Sequence, residues 1–215
     1  MQKQPVFNPV FAFLEKVFNI MLANVLFILC SLPVITLGAS LCGMLQVIQD
    51  QFYQEDAPAL KRFFYGFRRN FLQGTLAWII LAVFLAGMGC NALLVLTYCR
   101  GWTAQVLYII LGFLTAAGLC IFSYVFPLIV RYQNPMKVHL NNALILSVVK
   151  LPRTLAMALL NTLIFWIAFF SLQVFISTFI FWLIIGFGFI AYSDMRLLVP
   201  VFRQMEEEDT VELMN

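Results

Sequence analysis

The residues best placed to do chemistry in this chain are hydroxyls and amides. Asn24, Ser31, Thr36 and Ser40 flank Pro33 and Gly38 inside Val17–Ile48, a stretch of thirty-two residues without a formal charge. Proline removes a backbone donor and frees a carbonyl. Freed carbonyls and hydroxyls around a broken membrane helix can line a cavity that binds a polar ligand. Alternatively, the hydroxyls and neighbouring helices satisfy those carbonyls and the break is packing. A second constellation is Lys61, Arg62, Arg68 and Arg69, interleaved at helical spacing with Phe63, Phe64, Phe67 and Phe71. Bases opposite aromatics describe a helix on an anionic leaflet or a surface for a partner. The competing reading is a short helix packed beneath a bundle, its charges in water.

The remaining reactive side chains are scattered. His139 stands in a basic, amide-rich segment beside Lys137 and Asn141, with no carboxylate or cysteine near it; it reads as a solvated or capping residue. Cys30, Cys42, Cys90, Cys99 and Cys120 form no Cys-x-x-Cys pair, so neither a zinc nor a redox motif is supported. No carboxylate pair, glycine-rich phosphate loop or nucleophile–base set occurs at usable spacing. The expectation is a protein that is not an enzyme and uses no metal or cofactor. Asp194 and Arg196 read as the interfacial end of a span, which leaves no ionisable group at mid-membrane depth and argues against proton coupling. Asn91 and Asn161 lie inside later spans as interhelical hydrogen-bonders or cavity lining.

The elements that must position these residues are membrane helices. The 215 residues are 63% hydrophobic and 11% charged, more apolar than a soluble domain of this size. The apolar run from Val17 continues past any plausible cleavage point, so it is kept as structure rather than read as a signal peptide. An all-α polytopic bundle of about five spans follows: 17–48, broken at Pro33/Gly38, then 71–98, 103–130, 154–172 and 176–199. Residues 1–16 form an interfacial segment, 200–215 a solvated acidic tail, and the whole of 1–215 one membrane domain. Arg100-Gly101-Trp102 makes a tight turn between antiparallel neighbours. Ala82/Ala86 and Gly112/Ala116 offer small residues for close helix approach. Residues 141–149 are too short to cross, and Ser171–Ser177 holds a further turn. Ten of the thirteen Lys and Arg residues fall on the side of the two basic loops and the C-terminus. Positive-inside bias makes that side of the cell membrane cytoplasmic and the N-terminus extracellular. A re-entrant first element is the alternative.

Three blocks carry a family resemblance. Asn24 to Ser40 contains N-V-L-F, then S-L-P-V-I-T-L-G-A-S. Phe63-Phe64-x-x-Phe67-x-x-Asn70-Phe71-x-Gln73 precedes the second span. Tyr124-Val-Phe-Pro-Leu128, Arg131, Asn142-Ala143 and Leu151-Pro152-Arg153 follow in order. Together these resemble the YesL-like family of bacterial membrane proteins, with Phe27 where that family often has tryptophan. The resemblance implies a multi-spanning protein of Gram-positive bacteria encoded near carbohydrate ABC-transporter components and sensor kinases. It implies no catalytic residues. The expected function is a non-enzymatic accessory to carbohydrate transport or its sensing, in contact with a permease or sensor kinase. The alternative is a small solute facilitator whose path passes the Pro33–Gly38 break. No nucleic-acid partner is expected from so slight a net charge.

Overall fold

The computed structural model describes residues 9–53, 57–169 and 171–214. Among them the chain is a bundle of α-helices without strands: α1 (Pro9–Cys30), α2 (Leu37–Tyr53), α3 (Ala59–Arg69), α4 (Phe71–Tyr98), α5 (Trp102–Arg131), α6 (Met136–Val149), α7 (Leu151–Phe169), α8 (Leu172–Phe181) and α9 (Phe187–Met214). A 3₁₀ turn, Val34–Thr36, lies between α1 and α2, and a π-helical turn, Trp182–Gly186, joins α8 to α9.

α4 and α5 occupy the expected spans because each run is free of charge between its ends, and α5 continues through Pro127. Asn70 precedes the first, and Gly101, at φ +70°, makes the reversal that most side chains resist. Val10–Cys30, α4, α5 and Leu172–Glu207 are each long and apolar enough to cross a bilayer. The α6–α7 pair passes the same test only when taken together, with a bend of 96° at its break, so the described helices make four candidate spans, or five where that pair counts as one. Asn161 meets Asp194 and Lys150 meets Gln204, so α7 runs antiparallel to α9. α6 turns away from it, as a short apolar stretch must.

Two expectations are corrected, but the first element is broken where the sequence places the break: α1 ends at Cys30, and α2 packs back against α1, α3 and α4. Twelve of the seventeen α2 residues are buried. A solvated tail after residue 200 gives way to helix as far as Met214, and Glu206 pairs with Arg131 at 2.7 Å. The turn expected over Ser171–Ser177 is only Ser171, whose Oγ accepts from Val174 N and caps α8.

Glycine decides where backbones meet. A Cβ on Gly38 would overlap the Gly74 carbonyl, and one on Gly66 would press on Gln46 of α2 at 2.5 Å. Gly112 has open space around it. The close approach is therefore α2 on α4, and the outer halves of α4 and α5 splay around a groove lined by Gly89, Gly112 and Ala116.

Candidate functional site

The break between α1 and α2 is chemically quiet. Thr36 Oγ1 lies 2.6 Å from the Cys30 carbonyl and 2.7 Å from the Pro33 carbonyl, so it donates to the acceptors that the turn frees. Gly38 is wedged on Gly74. Pro33 is exposed. Ser31 and Ser40 hold buried hydroxyls without a partner among the described residues. Thr36 and Gly38 are thus committed to packing contacts at the break.

Asn24 acts elsewhere. It is 0% exposed, and its Nδ2 donates to the carbonyls of Trp182 at 3.1 Å and Leu183 at 2.8 Å. Its Oδ1 accepts from Gly188 N at 2.9 Å. A π turn shifts the backbone register and strands peptide groups, which lipid cannot satisfy. One side-chain amide with two donors and an acceptor does so here. Phe27 packs on Phe187 beside it, with centroids 5.6 Å apart.

The polar residue whose packing the sequence did not show is Asp194. It lies twelve residues before Glu206 in an unbroken helix, roughly 18 Å along the axis at 1.5 Å per residue, well inside the bundle rather than at its end. Its Oδ2 accepts from Asn161 Nδ2 at 3.0 Å, while Oδ1 is buried without a described partner. Asp194 also borders a cavity of about 350 Å³ otherwise walled mainly by apolar side chains of α1, α2, α4, α5 and α9, Leu41, Phe122 and Phe187 among them. Pro127 of α5 borders the same space, and its missing N–H leaves the Ser123 carbonyl without its usual helical donor. Asp194 is thus a carboxylate held within the bundle beside an apolar cavity, a packing that the sequence did not indicate. Asn161 makes the interhelical bond expected of it. Asn91 does not, since its amide bonds back to Gly87 of its own helix.

The basic segments converge at one end of the bundle. Arg131 lies over the Tyr53 ring at 3.9 Å, Arg203 Nη2 donates to the Phe52 carbonyl, and Gln73 Nε2 donates to Asn134 O at 2.9 Å. Burial pushes the Tyr53 phenol up from its ordinary value, against the opposing pull of Arg131 and Arg203. The ring therefore stays neutral beneath the guanidinium. Arg100, at the α4–α5 turn, marks the opposite end.

Of the basic–aromatic set, α3 divides sharply. Arg62 is buried on the same face as Phe63 and Gly66, against α2. Phe67 stacks on Phe63 and packs on the core. Lys61, Phe64, Arg68 and Arg69 remain outside, joined by Leu60 and Tyr65, which the sequence pattern did not single out. His139 is likewise buried, at 0% exposure in α6, rather than solvated. The five cysteines are free thiols, and among the described residues no three His, Cys, Asp or Glu gather as a metal site would need.

This geometry defines a class: an all-α polytopic membrane bundle whose polar groups mainly join helices. Within it, residues 20–92, about a third of the chain, match the family model described as "Protein of unknown function, DUF624". The matched segment runs from α1 through the break, α2 and α3 into α4. It contains the first two blocks of the sequence resemblance; the third lies outside. No curated protein and no solved structure matches the chain.

Proposed function

We propose that the chain is a non-enzymatic accessory protein of the bacterial cell membrane that docks a carbohydrate ABC-transporter permease or a sensor kinase through the outer face of α3. The observation that carries this reading is that face: Leu60 at 48% and Tyr65 at 55% exposure, beside Phe64, Lys61 and Arg68. Aromatic and arginine side chains on a helix whose other face is anchored are the composition of interaction hot spots. The resemblance to YesL-like proteins supplies the class of partner. The basic end is the cytoplasmic side by charge bias, which places α3 where a permease's coupling loops and a kinase's cytoplasmic domains lie and puts the N-terminus outside.

The test is photocrosslinking in native membranes from a benzophenone amino acid at Phe64, with the same probe at Leu107 on α5 as control. A permease subunit or histidine kinase captured from Phe64 alone supports the reading. Capture of lipid only, or of the same proteins from both positions, overturns it. The facilitator reading has weaker support, because Thr36, Gly38 and Asn24 are each committed to packing bonds.

A further inference from the structure

A cleft of about 520 Å³ opens at the basic end, where the α3–α4 junction faces the α5–α6 connection. We propose that it binds a phosphate group, held by Arg68, Arg69 and Asn70. The cleft borders the outer face of α3 and shares Arg68 with it, but the phosphate proposal does not rest on that docking reading.

The lining is rich in donors. Arg68 is exposed, and no described residue bonds its guanidinium. Asn70 is only 5% exposed and lines the cleft, and its Nδ2 is buried without a hydrogen-bond partner. A buried amide donor left unsatisfied costs stability unless something fills it. Arg69 is held in place from two sides. Its Nη1 donates to Tyr65 Oη at 3.1 Å. With the Gln133 amide in the orientation that satisfies both partners, Gln133 Oε1 accepts from Arg69 Nη2 at 2.8 Å and Nε at 2.9 Å. The bond from Gln73 Nε2 to Asn134 O ties the two sides together.

Among the described residues no carboxylate lines this space, and the Arg131–Glu206 ion pair lies outside it. Two adjacent guanidiniums, one positioned and one unpaired, with a neutral donor beside them, suit the tetrahedral oxygens of a phosphate. The rest of the cleft points to its source. Leu72, 81% exposed, lines it from the first turn of α4, and Leu76 continues the same apolar face. A phospholipid headgroup would place its acyl chains there, and a free phosphate would leave that face to bulk lipid.

Two arms separate these sources. The first puts the protein in phosphatidylcholine nanodiscs with a minor fraction of phosphatidylglycerol and counts retained phosphatidylglycerol by native mass spectrometry. The second titrates inorganic phosphate against chloride, at equal ionic strength, into phosphatidylcholine-only discs and reads the thermal shift. Arg68→Gln and Asn70→Asp are compared with Lys137→Gln, an exposed base at the same end but outside the cleft. In the lipid arm each cleft variant is expected to lose about ten-fold in retention, the loss of one charge-assisted hydrogen bond, while Lys137→Gln retains it. If the cleft variants instead lose only the phosphate-dependent shift, the proposal stands with a soluble anion as ligand. If all three variants fall alike, or none changes either readout, the cleft is merely part of a basic surface and the proposal is overturned. Should Asn70→Asp not fold, the comparison of Arg68→Gln with Lys137→Gln decides alone.

Discussion

Asn161 on α7 donates its side-chain amide to Asp194 on α9 at 3.0 Å, inside the bundle and next to an apolar cavity. The bond joins two antiparallel helices through the one carboxylate that borders that cavity. It satisfies only half of that carboxylate.

Removing the donor alone should therefore hurt more than removing both partners. Asn161→Leu is expected to destabilise the bundle by about 1–3 kcal/mol, the cost of a buried polar group left unpaired. The double substitution Asn161→Leu/Asp194→Leu should recover most of that loss. Thermal unfolding of the four proteins in one detergent checks the cycle. Additive losses would mean that the two side chains are not coupled.

Asn24 is expected to be the more sensitive position. Asn24→Leu strands two carbonyls and one N–H around the π turn, and a loss of about 2–5 kcal/mol follows from two or more unsatisfied groups. Asn24→Asp keeps the acceptor but not the donors, and should be nearly as damaging. Fluorescence-detected size exclusion after a heating series reads both. Wild-type behaviour of Asn24→Leu would show that the turn does not need this side chain.

The glycines give a contrast within one experiment. Gly38→Ala forces a methyl into the Gly74 backbone and should cost about 1–3 kcal/mol through overpacking. Gly112→Ala meets nothing within 4 Å and should be neutral or stabilising by up to about 1 kcal/mol, as alanine is the better helix former. Equal shifts in melting temperature would contradict the α2–α4 contact.

Accessibility reports the orientation and the break together. On a cysteine-free background, a cysteine at Thr103 should label with a membrane-impermeant maleimide in intact cells, and one at Lys137 only after permeabilisation. Thr36→Cys should stay dark in both, since its hydroxyl is bonded into the turn. Labelling of Thr36→Cys from outside would revive a wet path at the break.

How much of this was legible in the sequence depends on what each signal measures. α4 and α5 were readable nearly to the residue because charge-free runs end at Asn70 and at Arg100-Gly101-Trp102. The break at Pro33–Gly38 was readable too, since proline and glycine interrupt helix locally. The direction in which α2 leaves it was not, because the Gly38–Gly74 contact that sets it joins residues far apart in the chain. The bond from Asn161 to Asp194 was hidden for a related reason, since its partners lie 33 residues apart on different helices. On α3, hydrophobic periodicity found the helix but assigned its faces too simply, because Arg62 is buried with Phe63 while Leu60 and Tyr65 are not. The π turn in Trp182-Leu-Ile-Ile-Gly186 had no sequence signature that periodicity detects, and so Asn24 had no visible partner.

The Asn24 latch also orders events in time. Its partners lie 158, 159 and 164 residues further along the chain. During synthesis α1 emerges first and α8–α9 last. Until the final pair of helices enters the bilayer, α1 carries an amide with no bonding mate of its own. α1 is thus closed only after these later helices arrive, and a chain stopped before residue 182 lacks every partner of the Asn24 amide.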